Sequence, residues 1–242
     1  MPETQHAVLV TGAGRRLGYA IARSLIERRV PTAIHYHASA QGATELLDLA
    51  ARLDVPAVAV AADLQDADQT LKLWRDATDA LGPIDWLVNN ASVFEDIDAL
   101  KTTLDDWDRN LHVNLRAPFL LSQALAKQPN VEQGAIVNML DYRATRPNAD
   151  HFPYTISKAG LYAVTVSLAQ ALAPRIRVNG IALGNILPPA DGSEADTPRF
   201  TRTPAKRRGT VEETVESVHF LLAGPAFVTG DVLYLTGGRH LT

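Results

Sequence analysis

Tyr154 and Lys158 stand four residues apart in the stretch FPYTISK. If that stretch opens a helix, the spacing puts both side chains on one face. An ammonium beside a phenol stabilises the phenolate and lowers its pKa from about 10. A tyrosine so placed can give or take a proton near neutral pH. Thirteen residues before Tyr154, at the expected end of a strand, lies Asp141. A carboxyl group is unusual company for such a pair. A carboxylate repels the alkoxide that develops when a ketone is reduced, unless it is protonated. It suits a basic nitrogen better, because it can pair with it or relay a proton toward it.

The elements that must hold these groups follow from apolar spacing. Short apolar runs bounded by Gly, Pro or Asp predict strands at 7–11, 31–36, 57–62, 84–89, 134–140, 176–183 and 232–235. Helical spacing predicts helices at about 16–29, 40–53, 66–81, 104–127, 152–172 and 210–222. Thr210 reads as the N-cap of the last helix, with Glu213 completing a capping box. Strands and helices alternate without a linker or a repeat. The expectation is one α/β domain spanning 1–242: a Rossmann-like, doubly wound parallel sheet of about seven strands with helices on both faces. Residues 185–208 break the pattern. They are rich in Pro, Asp, Ser and Arg, longer than an ordinary connection, and expected to form a lid on the substrate side. Ligands in such sheets lie beyond the C-terminal strand ends. Thr11–Gly18, Asp63, the segment 89–94, Asp141 and Gly184 all fall there.

TGAGRRLG, residues 11–18, follows the first strand and opens the first helix. Gly12 permits a tight turn and Gly18 close packing of helix on sheet, while the N–H groups of the helix start favour a phosphate. Arg15 and Arg16 add positive charge where a pyrophosphate would lie. A dinucleotide with a free ribose 2′-OH usually meets an acid about 20 residues on, at the end of the second strand. Here that segment reads His35-Tyr36-His37-Ala38-Ser39, and the nearest acid is Glu45. Arg15, His37 and Ser39 can hold a 2′-phosphate, so the expected cofactor is NADPH.

Other classes are excluded or disfavoured. The net charge of −4 gives no global basic field for nucleic acid or anionic membrane. There is no cysteine, hence no disulfide or thiolate chemistry, and the seven histidines form no metal-ligand cluster beyond the His35/His37 pair. No apolar run approaches the roughly 18 residues of a membrane span, and the N-terminus does not read as a signal peptide. A cytoplasmic protein with a small-molecule substrate is expected.

TGAGRRLG, Ala62-Asp63-Leu64, NNAS at 89–92, Asn114 and YxxxK at 154–158 form an ordered set. In this order and spacing the chain closely resembles the short-chain dehydrogenase/reductase family, down to Leu235-Thr236-Gly237-Gly238 near its end. Three details look like the pteridine reductases of that family. Arg16 occupies the place of the usual middle glycine of the turn. Ser92 and Phe94 replace the commoner NNAG pattern. Asp141 stands where most members carry a catalytic serine. Ala38 stands where the group usually has arginine, and Leu183-Gly184 where the wider family often has Pro-Gly.

The resemblance implies roles. Tyr154 is the proton donor; Lys158 holds the nicotinamide ribose; Asn114 orders a water near the lysine. Gly12, Arg15, Arg16, Leu17, Gly18 and Gly184 would contact the cofactor. So would Asp63 and Leu64 beside the adenine, and Asn89 and Ala91 along the adenosine. Arg16, Ser92, Phe94, Asp141 and Tyr154 would face the substrate, with Phe94 as an aromatic wall. The expected reaction is hydride transfer to a C=N bond of a pterin, such as a dihydropterin or dihydrofolate, by a homotetramer. The alternatives are a reductase of ketone, sugar or 3-oxoacyl carbonyls, and a catalytically idle nucleotide-binding sensor.

Overall fold

The computed structural model describes residues 6–187 and 202–242. Seven parallel strands form one sheet: β1 (Val8–Val10), β2 (Thr32–Tyr36), β3 (Ala57–Ala61), β4 (Trp86–Asn89), β5 (Gly134–Asp141), β6 (Ile176–Leu183) and β7 (Val232–Leu235). Their order across the sheet is β3-β2-β1-β4-β5-β6-β7. The chain runs outward from β1 to β3, then returns to place β4 on the other side of β1. The topological switch therefore falls between β1 and β4, where ligands of such sheets bind.

Strands β4 and β5 are apolar almost without interruption because helices cover both sheet faces. Val8 and Val10 pack with Ile21, Leu25 and Ile26 of α1 (Arg16–Glu27), Leu46 of α2 (Ala40–Arg52) and Leu221 and Leu222 of α7 (Val211–Ala223). Leu9 points the other way. It joins Leu73 and Trp74 of α3 (Ala67–Leu81), Leu121 and Leu125 of α5 (Ala117–Lys127) and Ala169 of α6 (Phe152–Leu172). The expected α/β class, strand count and two-faced layering are thus what the chain adopts. So is the capping box: Thr210 Oγ1 accepts from the Glu213 N–H at 3.1 Å, and the Thr210 N–H donates to Glu213 Oε2 at 2.8 Å.

One expected helix is not continuous. The stretch 104–127 divides into α4 (Leu104–Leu111), a π-helical segment (His112–Arg116) and α5. Pro118 has no N–H to give the carbonyl of Asn114, so the α-helical ladder must open upstream of it. Most of the expected lid, residues 188–201, lies outside the described residues.

His35, weighed above only as half of a metal pair, braces the glycine turn. It is 2% exposed. Its Nδ1 accepts the Gly12 N–H at 3.0 Å and its Nε2 lies 3.1 Å from the Ala62 carbonyl, so the neutral ring carries its proton on Nε2. Burial lowers its pKa to about 4, against about 6.5 for an unfolded imidazole. The folded protein therefore binds fewer protons than the unfolded chain between these values. This contribution to stability is complete above about pH 6.5 and is lost as the pH falls toward 4. Replacing His35 with Phe removes that dependence and strands two buried backbone groups, at a cost of about 2–4 kcal/mol. Thermal unfolding at pH 8 and pH 5 should give a lower Tm for the variant at pH 8 but a shallower loss on acidification. Parallel losses in the two proteins would contradict the assignment.

Candidate active site

Tyr154 and Lys158 lie in the first two turns of α6, where Pro153 suits the N-terminal turn because its missing N–H has no helical partner to serve. Asp141 ends β5, the strand beside β4 and β6. The three side chains converge. The Tyr154 hydroxyl donates to Asp141 Oδ2 at 3.0 Å. The Lys158 ammonium donates to the Met139 carbonyl at 2.7 Å and lies 5.7 Å from the centre of the Tyr154 ring. Tyr154 and Lys158 are 6% and 3% exposed.

Their electrostatics correct one expectation. The ammonium does not hold Tyr154 toward phenolate. Burial, then the charge of Asp141 and its hydrogen bond, raise the Tyr154 pKa well above 10. The residue is a neutral phenol, ready to give its proton. Burial acts on Lys158 in the opposite sense, lowering its pKa to about 8 against the pull of Asp141.

Asn114, fully buried in the π-helical segment, is a staple between two parts of the site. Its Oδ1 accepts the Val93 N–H at 2.9 Å; its Nδ2 donates to the Val93 carbonyl at 3.0 Å and to Ser157 Oγ at 3.0 Å. It thus ties the loop after β4 to α6. Further ties fix the same loop. Glu95 pairs with Arg109 at 2.9 Å, its carbonyl meets His151 Nδ1 at 2.9 Å, and the Ile97 carbonyl accepts from the Phe152 N–H at 2.8 Å. Phe94 consequently stands as a wall: it stacks on His151 at 4.1 Å and meets Tyr154 edge-on at 4.7 Å. Ser92 is exposed on the same loop, its hydroxyl 3.2 Å from the Val93 carbonyl.

The glycine turn fits a dinucleotide. No side chain caps the N-terminus of α1 and no acid lies in its first turn, so its leading N–H groups suit an anion. Arg15 and Arg16 are exposed there, with Leu17 partly exposed beside them. A Cβ on Gly14 would lie 2.4 Å from the Ser39 carbonyl, and one on Gly18 2.2 Å from the Gly12 carbonyl, so the backbone closes around this turn only without side chains. The contact also brings Ser39, with exposed His37, against the turn. Arg16 has φ 53°, the left-handed region that glycine enters freely. An arginine held there carries local strain of about 1–2 kcal/mol.

Other expected contacts divide. Asn89 is 2% exposed and gives its amide to Asn138 Oδ1 at 2.8 Å, between β4 and β5. Asn90 instead reaches the turn, donating to the Thr11 carbonyl at 2.8 Å, while the Ala91 N–H donates to Thr11 Oγ1 at 3.0 Å. Leu64 turns its side chain into the core, whereas Asp63 stays partly exposed and accepts from the Gln65 N–H at 2.9 Å. Gly184 lies so close to Thr236 that a Cβ would come within 2.9 Å of its Cα. Sequence reasoning missed His35, Arg143 and His151. His35 lay within the segment 35–39 and the other two beside Asp141 and Phe152, but the partner of each is distant in sequence or set by an irregular turn.

A family model described as enoyl-(acyl carrier protein) reductase matches residues 12–240. The FolM alternative dihydrofolate reductase 1 of Brucella canis, crystallised with NADP, is 36% identical with a TM-score of 0.92, covering 98% of this chain and 94% of that one. A short-chain dehydrogenase of Burkholderia cenocepacia in complex with NADP is 35% identical with a TM-score of 0.90, covering 97% and 98%. The 3-oxoacyl-acyl-carrier-protein reductase of Synechocystis sp. is 30% identical over 239 residues, 97% of each chain.

The Lys158 value sets an alkaline limit. The ammonium is lost as pH rises through about 8, so kcat/KM should fall above that pH. Lys158→Met should abolish this limb and lower kcat by about 10²–10⁴, the usual span for groups that assist proton transfer. A limb near pH 8 that persists in Lys158→Met would assign it to another group.

Proposed function

The chain belongs to the short-chain dehydrogenase/reductase family, and we propose that within it the protein reduces a pterin-type C=N bond with NADPH. The observation that carries this reading is the carboxyl of Asp141, hydrogen-bonded at 3.0 Å to the proton donor Tyr154. The substrate's reacting atom must approach that hydroxyl, and therefore also the carboxylate. A developing alkoxide is repelled there; an amine or amidine N–H is attracted. The exposed Phe94 offers a flat ring-sized surface at the same place, and Ser92 and Arg16 would supply polar contacts to the same ligand. The FolM relative, a dihydrofolate reductase by its description, supports the same class of substrate.

The fit of the turn supports an assignment of cofactor residues, and relatives crystallised with NADP support the cofactor itself. Gly12 and the segment Arg15–Gly18 would hold the pyrophosphate; Arg15, His37 and Ser39 would hold the 2′-phosphate. Asp63 and Leu64 would border the adenine, with Asn89 and Ala91 on the adenosine and Gly184 at the nicotinamide end. One N–H of the Lys158 ammonium is committed to Met139, and its other donors suit the ribose hydroxyls. Bound NADPH supplies the hydride. Tyr154 gives its proton to the substrate nitrogen, Lys158 offsets the charge left on the phenolate, and Asp141 orients the hydroxyl and holds the substrate's N–H edge. Asn114 keeps the Phe94 wall in register with Tyr154.

A homotetramer belongs to the same reading, since assembly would cover the exposed Phe119 of α5 and Phe220 and Leu233 beside the β7 edge. A cytoplasmic location accords with it as well; among the described residues, no helix is long and apolar enough to cross a membrane.

The test is NADPH oxidation against dihydrobiopterin, dihydromonapterin, dihydrofolate and simple ketones. Dihydropterins should turn over at least tenfold more efficiently than any ketone, and NADPH should have a lower KM than NADH. Asp141→Ser should reduce pterin turnover while improving ketone reduction. Ketone or 3-oxoacyl reduction in preference to pterins, the activity described for the Synechocystis relative, would replace this reading. Unchanged pterin turnover in Asp141→Ser would remove the role given to the carboxylate.

A further inference from the structure

Arg143 stands two residues beyond Asp141, on the short 3-10 turn Tyr142–Ala144 that follows β5. Its backbone N–H donates to Asp141 Oδ1 at 2.8 Å, and its guanidinium Nη1 lies 3.7 Å from Asp141 Oδ2. The oxygen facing the guanidinium is the one that accepts the Tyr154 hydroxyl. On its far side Arg143 Nη2 donates to Asp150 Oδ2 at 3.0 Å. The arginine side chain is 16% exposed, Asp141 14% and Asp150 46%. Arg143 Nε is buried and has no hydrogen-bond partner among the described residues.

A buried cation with one N–H unpaired is an unfavourable way to stabilise a turn. What the burial does achieve is a fixed positive charge against the carboxylate of the active site. We propose that Arg143 is a positioning residue for proton transfer: anchored by Asp150, it holds the Asp141 carboxylate aimed at the Tyr154 hydroxyl. The role does not depend on whether the substrate is a pterin or a carbonyl compound, because it concerns the donor and its partner.

The neighbouring charges make Arg143 the cation for this task. Lys158 is committed to the Met139 carbonyl. His151, another basic group on the segment before α6, bonds the Glu95 carbonyl and has its Nε2 4.0 Å from Asp96 and 3.9 Å from Asp150. Arg146 turns away to the carbonyls of His240 and Thr242. Tyr142 lies under the guanidinium at 5.4 Å, and β6 pairs Asp141 with uncharged Leu183. Among Asp141, Arg143, Asp150 and Lys158 the charges sum to zero. Without Arg143 the cluster carries an uncompensated negative charge, which disfavours the phenolate that Tyr154 must become.

The test compares kcat and KM of Arg143→Met, Arg143→Lys and Asp150→Asn, with NADPH oxidation driven by whichever substrate the unmodified enzyme turns over. Arg143→Met should lower kcat 10- to 100-fold at pH 7 and leave the KM for NADPH within about twofold. Arg143→Lys should restore most of the lost kcat. Asp150→Asn, which removes the anchor at a half-exposed acid and spares the buried cation, should lower kcat by less, and it keeps the test open if Arg143→Met does not fold. An unchanged kcat in Asp150→Asn and in the folded arginine variants would overturn the proposal. So would Arg143→Met and Arg143→Lys variants equal to each other and impaired only in NADPH binding and Tm. A shift of substrate preference without a loss of kcat would bear on the pterin reading and would also count against Arg143.

Discussion

The hydrogen bond from the Tyr154 phenol to Asp141 is the interaction on which the site depends. Both groups are removed from water, where a carboxylate is tolerated only if donors and cations surround it. Tyr154 supplies a hydroxyl, the turn a backbone N–H, and Arg143 a guanidinium. Burial, and then the same carboxylate, keep the phenol neutral. The arrangement is therefore polarised in one direction: the phenol is a donor at rest, and its conversion to phenolate needs the positive charges of Lys158 and Arg143 nearby. A serine in place of Asp141 would leave the tyrosine less strongly held as a phenol.

The scaffold delivers this pair because β1, β4 and β5 are neighbours in the sheet and end on the same edge. Strand ends give position but not orientation. Orientation comes from polar staples across the loops. Asn114 closes a two-bond bridge with Val93, and His35 does the same between Gly12 and Ala62. Each replaces a regular backbone pairing that the loop cannot make with itself. The π-helical opening above Pro118 is part of the same economy of hydrogen bonds, since it accompanies the turn of the helix at which Asn114 faces the loop.

Much of this was legible in the sequence. The strand and helix alternation, the bounds of α6 and β6, the Thr210–Glu213 cap and the convergence of Tyr154, Lys158 and Asp141 all follow from periodicity and spacing. What was not legible depends on burial. An ammonium four residues from a phenol reads as an acidifying neighbour, yet in the fold the carboxylate is closer and desolvation dominates. Asn89 and Asn90 are adjacent letters in NNAS, and only strand register decides that the first enters the core while the second meets the turn. His35, Arg143 and His151 act through partners that no local pattern reveals. The long helix failed as a single element for a more local reason: a proline near its middle was read through rather than as an interruption.

The relatives differ in described substrate while sharing the fold: one reduces dihydrofolate by its description and another a 3-oxoacyl group. Fold similarity alone therefore cannot choose between them. The choice rests on a few atoms at the mouth of the sheet. A carbonyl oxygen gains negative charge as hydride arrives and needs donors on every side. A ring nitrogen gains a proton and tolerates, or prefers, an anion beside it. In this chain the group beside the Tyr154 hydroxyl is a carboxylate, fixed there by a backbone N–H and a buried guanidinium rather than left free to rotate. A carbonyl oxygen would have to develop its negative charge beside that carboxylate. A nitrogen that gains a proton meets no such opposition there, so what separates the two substrate classes at this site is the charge beside the Tyr154 hydroxyl and not the fold.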